Sequence, residues 1–115
     1  MLNTASNAQL RQAAPVFAAL GDDVRLLLVA RLSRGEPLSI SRLSEGLPIT
    51  RQAVTKHLLV LSGAGLVASE RRGREQQWAL KPDGIRDAER YLAIISKQWG
   101  DALGRLKAFV ESEKG

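Results

Sequence analysis

The chain contains no cysteine among its 115 residues and a single histidine, His57. Without thiols it forms no disulfide, no thiolate metal site and no thiol-based redox switch. One imidazole is also too little for zinc or a softer metal, because these ions bind through several thiolate or imidazole ligands. We therefore predict no metal site and no cofactor.

Long apolar runs are missing as well. No stretch approaches the roughly 18 consecutive apolar residues of a membrane-spanning helix. The first residues, Met1 to Thr4, lack the basic-then-apolar order of a signal peptide. No recognisable nucleophile, base or phosphate-binding glycine loop accompanies the lone histidine. We expect a cytoplasmic protein that has no catalytic residues, is not an enzyme and does not bind a membrane.

The composition is that of an ordinary globular protein, with 44% hydrophobic and 25% charged residues. This balance suits a folded chain rather than a disordered one. A length of 115 residues suits one hydrophobic core. We predict a single domain over residues 1–115.

Positive charge is concentrated in one part of the chain. The formal net charge is +5, and between Thr50 and Lys81 six cationic and two anionic side chains account for +4 of it. Such a patch favours a polyanion such as DNA, because condensed counterions are released when phosphates are neutralised. A basic face that is merely solvated is the alternative.

The first third of the chain has the pattern of two helices. Ser6 and Gln9 have the spacing of a capping box, which predicts a helix over residues 6–20. Pro15 predicts a kink in that helix, or its division into two short helices. Asp22 and Asp23 predict the start of a second helix. The residues that we expect it to bury are Leu26, Leu27, Val29, Ala30 and Leu32.

Residues 39–62 have the spacing of a helix-turn-helix. Ser39 or Ser41 is suited to cap a brief first helix, and Thr50 is suited to cap the second. Three apolar residues of the second helix recur at i, i+4 and i+7, which places them on one face against the core. These residues are Val54, Leu58 and Leu61.

The opposite face of this second helix has side chains that read bases in a major groove. Glutamine pairs with adenine, arginine and lysine pair with guanine, and threonine offers a hydroxyl and a methyl group. The face holds Gln52, Thr55, Lys56 and Leu59. The residues that we predict to contact DNA here are Thr50, Arg51, Gln52, Thr55, Lys56 and His57. For His57 a structural role also stays open, and a solvated polar face is the alternative for the whole set.

A hairpin with a basic tip is predicted over residues 66–80. Trp78 and Leu80 alternate with Gln77 and Ala79, which is the period of a half-buried strand. A glycine at the tip permits the positive φ of a tight reversal. The tip residues that we predict to contact DNA phosphates are Arg71, Arg72, Gly73 and Arg74. A tip that serves only solubility is the alternative.

Residues 83–112 predict one long helix with an apolar seam. Its apolar residues recur in alternating steps of three and four, as in helices that pair. A helix of that length extends roughly 45 Å, so we expect its exposed part to meet a second copy. The predicted dimer interface consists of Leu10, Phe17, Ile85, Leu92, Ile95, Trp99, Leu106 and Phe109. Packing within its own subunit is the alternative.

Together these elements predict a mainly α fold with a small β-hairpin. The expected architecture is a winged helix-turn-helix, in which a three-helix core carries long N- and C-terminal helices that form a homodimer. Its partner is expected to be double-stranded DNA.

The chain resembles the ArsR/SmtB family of small homodimeric bacterial transcriptional repressors over nearly its whole length. The residues that carry the resemblance are Phe17-Ala18-Ala19-Leu20-Gly21-Asp22, Arg25, Ala53-Val54-Thr55-Lys56-His57-Leu58, Leu61, Gly65-Leu66-Val67, Arg72-Gly73-Arg74 and Trp78-Ala79-Leu80. The resemblance implies a winged helix whose terminal helices pack across a twofold axis. Metal-sensing members use cysteine clusters, or histidines with carboxylates, and this chain has neither. The resemblance therefore implies a metal-independent type.

We expect a sequence-specific repressor that binds a near-palindromic operator as a homodimer. Two alternatives stay open. One is a winged helix used as a protein-interaction module, because fold alone does not fix function. The other is a regulator that binds a small apolar molecule near the dimer axis, between Pro15, Phe17, Tyr91 and Trp99. The sequence leaves the identity of any effector unknown.

Overall fold

The structure is a computed structural model that describes residues 4–114 and the side chains of residues 7–113. In that range, five helices and three strands form the mainly α winged helix-turn-helix that the sequence predicts. The helices are α1 (Thr4–Leu20), α2 (Asp23–Leu32), α3 (Ile40–Leu43), α4 (Arg51–Gly63) and α5 (Pro82–Lys114). The strands are β1 (Leu38–Ser39), β2 (Val67–Arg72) and β3 (Glu75–Leu80).

Helix α1 is continuous through Pro15, so the predicted division into two short helices is wrong. The proline removes the amide that would bond to the carbonyl of Arg11 one turn earlier. Both residues lie on the exposed side of the helix, where an unpaired carbonyl costs less than in the core. The helix also begins at Thr4, which places Ser6 inside it rather than at its cap.

Helix α2 begins where the sequence predicts, but it buries a different face. Asp22 is its N-cap, and its carboxylate accepts a hydrogen bond from the amide of Arg25 at 3.0 Å. Leu28 and Leu32 are the buried residues, whereas Leu26 and Leu27 are exposed. Ala30 is exposed too, so the prediction was wrong for three of its five residues and Val29 is half-buried.

The helix-turn-helix forms as predicted. The hydroxyl of Ser39 caps α3 and that of Thr50 caps α4, each accepting a hydrogen bond from an amide three residues later. The inward face of α4 is fully buried and consists of Val54, Leu58 and Leu61. Burial of these side chains fixes the rotation of α4, which leaves its opposite face outside.

The three strands form an antiparallel sheet in the order β1-β3-β2. Arg72 pairs with Glu75, so the hairpin closes through the two residues Gly73 and Arg74. Gly73 has φ +64° and no non-glycine residue from 4 to 114 has a positive φ, which is the pattern of a type II′ turn. Trp78 of β3 is buried in the core and anchors this wing to the helices.

Helix α5 has 33 residues and extends about 50 Å. Its inner segment, residues 82–91, packs against the rest of the chain through Ala88 and Tyr91. Its outer segment, residues 92–113, carries exposed apolar side chains. Across residues 4–114, no helix is both long enough and apolar enough to span a membrane.

Candidate nucleic-acid interface

The outward face of α4 is the centre of the candidate interface. Arg51, Gln52 and Lys56 are exposed there, in the first two turns of the helix. Thr55 lies beside them and is half-buried. The structure therefore brings together, on one surface, four of the six side chains that the sequence predicts to contact DNA from this helix.

The two threonines of this region already use their side-chain oxygens. The hydroxyl oxygen of Thr50 accepts a hydrogen bond from the amide of Ala53 at 3.0 Å, which caps the helix. The hydroxyl of Thr55 donates to the carbonyl oxygen of Arg51 at 3.0 Å. Thr50 thus positions the helix, and Thr55 has no free hydroxyl proton to donate to a base.

His57 faces inward, toward the junction of α1 and α2. Its Nδ1 lies 3.2 Å from Nη1 of Arg25. A guanidinium group only donates hydrogen bonds, so Nδ1 of His57 is the acceptor in this contact. The other nitrogens of Arg25 donate to the carbonyl oxygens of Ala18 and Ala19. Arg25 thereby ties the recognition helix to the end of α1, and His57 has a structural contact.

The carboxylate of Asp22 completes this cluster, with Oδ2 at 3.8 Å from Nδ1 of His57. The hydrogen bond from the amide of Arg25 lowers the pKa of Asp22, against the desolvation that raises it. The positive charge of Arg25 lowers this pKa further. The sequence did not predict this cluster. Arg25 and His57 are 32 residues apart, and no short sequence pattern indicates that their side chains meet.

The wing presents its three arginines to solvent, as the sequence predicts. Arg72 forms an ion pair with Glu70 at 3.0 Å, so part of its charge is already compensated. Within the described part of the chain, Arg71 and Arg74 have no such carboxylate partner. Arg71 and Arg74 are therefore the wing cations best suited to bind phosphate.

Further basic side chains lie outside the predicted set. Arg31, Arg34 and Arg42 line a groove where α2 ends and α3 begins, together with Leu38 and the carboxylates of Glu36 and Glu45. Arg31 is fixed there because its Nη1 donates to the carbonyl oxygen of Leu43 at 2.6 Å. In helix-turn-helix complexes the first helix crosses the DNA backbone, which gives Arg42 on α3 a position for a phosphate contact. These arginines are dispersed along the sequence and form no recognisable motif, so the sequence did not predict that they lie together.

The residues predicted for a dimer interface fall into two groups. Phe17 and Ile85 pack against the core of their own chain, and Leu10 and Ile95 are half-buried. The exposed members are Leu92, Trp99, Leu106 and Phe109.

The residues predicted for an apolar pocket do not all meet within one chain. Phe17 and Tyr91 form an edge-to-face pair with ring centroids 6.5 Å apart. Trp99 lies about 12 Å further along α5 and is exposed, and Pro15 is exposed as well.

Comparison with known proteins agrees with this geometry. A family model described as a helix-turn-helix domain matches residues 20–70. The chain is 34% identical to the HTH-type transcriptional regulator Rv2034 of Mycobacterium tuberculosis, over 84% of this chain and 87% of that protein. It is also 34% identical to an ArsR-like transcriptional regulator from Rhodococcus sp. RHA1, with a TM-score of 0.71 and coverage of 89% of this chain and 95% of that one.

A more distant structure shares the fold. It is a homodimeric winged helix-turn-helix DNA-binding domain from Mycobacterium bovis, with 22% identity, a TM-score of 0.62 and coverage of 90% of this chain and 93% of that one. The family follows from the two relatives of 34% identity, and the exposed face of α4 and the wing agree with it. The chain belongs to the ArsR family of helix-turn-helix transcriptional regulators, which are DNA-binding proteins.

Proposed function

We propose that the protein is a homodimeric, sequence-specific repressor that binds a near-palindromic operator without sensing a metal. The observation that carries this proposal is the outer segment of α5. Its large apolar side chains are between 44% and 65% exposed in the single chain. They are Leu92, Trp99, Leu103, Leu106, Phe109 and Val110.

The occupant of this apolar surface is a second copy of the chain. Apolar side chains recur in steps of three and four along α5, a helix of about 50 Å. This spacing is typical of helices that pair with another helix. A similar fold, the domain from Mycobacterium bovis, is described as homodimeric. A twofold axis would give two α4 helices, and half-sites one helical turn apart, about 34 Å, require such a pair.

Repression follows from the elements that residues 4–114 contain. These residues provide a recognition helix, a wing and a helix suited to dimerisation. A dimer bound to an operator excludes RNA polymerase from overlapping DNA. Repression of this kind requires no contact between the protein and the polymerase.

The proposal of metal independence rests on the chemistry of the side chains. The chain has no cysteine. The Nδ1 of His57, its one histidine, faces the cationic group of Arg25 at 3.2 Å, which disfavours a metal ion beside it. Among the described residues, no three histidine, aspartate or glutamate side chains gather where an ion would bind.

The first test uses duplexes selected by the protein from a randomised pool. We expect the selected site to be near-palindromic, and a single half-site to bind at least tenfold more weakly. Replacing both Leu103 and Leu106 by glutamate should give a folded monomer in sedimentation and remove the advantage of the full site. A wild-type monomer that binds all duplexes alike would instead support a protein-interaction module.

The second test separates base reading from phosphate binding. Gln52→Ala and Lys56→Ala should reduce the ratio of affinities for selected and scrambled duplexes. Arg74→Ala should weaken both duplexes alike and reduce the salt slope of log K by about 0.9 for the lost phosphate contact. An unchanged ratio or an unchanged slope would contradict the corresponding assignment.

A third test addresses metal independence. The affinity for the selected duplex should be the same with a chelator and with added zinc, and a zinc-dependent change would refute metal independence.

A further inference from the structure

An apolar side chain lies in the middle of the polar face of α4. Leu59 is 58% exposed, although the inward face of the helix is complete without it. It follows Gln52 by seven residues and Lys56 by three, which places all three on the same side of the helix. A leucine at this position adds nothing to the core, and it is carried on the surface that enters the groove.

Thr55 extends this apolar surface by one turn. Its hydroxyl donates to the carbonyl oxygen of Arg51 at 3.0 Å, so the γ-methyl group is the part left for contact with an apolar partner. Thr55 and Leu59 are separated by four residues, and side chains at that spacing are neighbours, with Cβ atoms about 5–6 Å apart. We call these two residues the apolar strip of α4. The exposed polar side chains of Gln52 and Lys56 border it.

The major groove offers one apolar group to such a strip, the C5-methyl group of thymine. A protein partner is disfavoured because the strip lies on the same helix as the exposed cationic side chains of Arg51 and Lys56, which suit a polyanion. We propose that Thr55 and Leu59 read the methyl group of a thymine in each half-site of the operator. This inference rests on the proposed function and adds the base that the helix selects.

The test removes the methyl group without changing base pairing. The probe is the duplex selected by the wild-type protein. It is compared with versions in which deoxyuridine replaces a single thymidine, one position of one half-site at a time. At the contacted position we expect affinity to fall about fourfold for each methyl group removed. The ratio of the affinities for the thymidine and deoxyuridine duplexes should not change with salt, because the methyl group carries no charge.

Variants assign this effect to the strip. Leu59→Ala should weaken binding of the thymidine duplex and bind the deoxyuridine duplex equally well, so that the fourfold ratio becomes about one. Thr55→Ser, which keeps the hydroxyl and removes the methyl group, should lower the ratio, and Thr55→Val should preserve it. Leu26→Ala is the matched control, since Leu26 is a leucine of similar exposure, 52%, on α2. It should keep the full ratio, and circular dichroism checks that each variant is folded.

The outcomes distinguish this inference from the function on which it rests. If the wild type selects a site but no deoxyuridine substitution weakens binding, the methyl contact is refuted and the repressor proposal stands. The same holds if Leu59→Ala keeps the full ratio. If the wild type selects no duplex, both proposals fail. A ratio that disappears in Leu59→Ala and persists in Leu26→Ala supports the methyl contact.

Discussion

The two segments of α5 belong to one continuous helix but have opposite surroundings. In the inner segment, Ala88 and Tyr91 are buried against the chain's own core. In the outer segment, Trp99, Leu106 and Phe109 are each more than half exposed. Both segments are apolar on one side, so the difference lies in what covers that side.

The contrast separates two physical tasks within one helix. Burial of the inner segment stabilises the single chain, because α1 and α5 pack together around Phe17 and Tyr91. The large apolar side chains that the outer segment exposes are not covered by the single chain, and their burial requires another molecule. Stability of the inner segment should therefore be independent of protein concentration, whereas that of the outer segment should depend on it.

Tyr91→Ala should have the largest effect on stability. It removes a buried aromatic ring and its contact with Phe17, which should lower the free energy of unfolding by about 4 kcal/mol at every protein concentration. Trp99→Ala is the matched change in the outer segment and should lower it by less than about 0.5 kcal/mol in dilute solution. Urea unfolding at two concentrations measures both. A loss from Trp99→Ala that equals that of Tyr91→Ala in dilute solution would remove the distinction between the segments.

Gly84→Ala should give the next largest effect. The added Cβ would overlap the carbonyl oxygen of Gly65 and come within 2.8 Å of its carbonyl carbon. Both atoms belong to the backbone, so α5 must shift away from the loop after α4. We expect a loss of about 2 kcal/mol in the free energy of unfolding, from the denaturation midpoint. An unchanged midpoint would show that the inner segment is not fixed at this contact.

Much of the helix-turn-helix could be predicted because its signals are local. Thr50 is a strong N-cap residue, and Val54, Leu58 and Leu61 follow the helical period on a helix whose first two turns are otherwise mostly polar. The structure confirms the cap and all three buried residues. The wing was equally clear, since Gly73 is the one tip residue that tolerates the required positive φ.

The rest depended on contacts that the local pattern does not contain. Helix α2 is apolar almost all round, so its period does not say that Leu28 and Leu32 face inward while Leu26 faces out. The partner of His57 is Arg25, on another helix. Such pairings are set by how the helices pack, which a single sequence does not specify.

Gly100→Ala tests the outer segment with a smaller effect. Nothing lies within 4 Å of the Cβ that would be added there, in contrast to Gly84. Alanine is the better helix former, so this variant should raise the free energy of unfolding of dilute protein by about 0.5–1 kcal/mol. The urea midpoint under dilute conditions checks this gain. A loss would mean that Gly100 makes a close contact within the single chain.

Asp22→Asn should have the smallest effect, because asparagine is an equally good N-cap and keeps an oxygen for the amide of Arg25. The pKa of Asp22 is lowered in the folded protein, so its charged form stabilises the fold at pH values above the ordinary aspartate value of about 3.9. That contribution is lost as the pH falls through the lowered pKa. The Tm of the wild type should therefore exceed that of Asp22→Asn slightly at about pH 7, and the gap should close in acid as the carboxylate of Asp22 is protonated. Because Asp22 lies outside α5, this difference in Tm should not depend on protein concentration. Asp83→Asn, on the exposed surface of the inner segment, is the control for the loss of one negative charge. A gap that widens on acidification would reverse the sign assigned to Asp22.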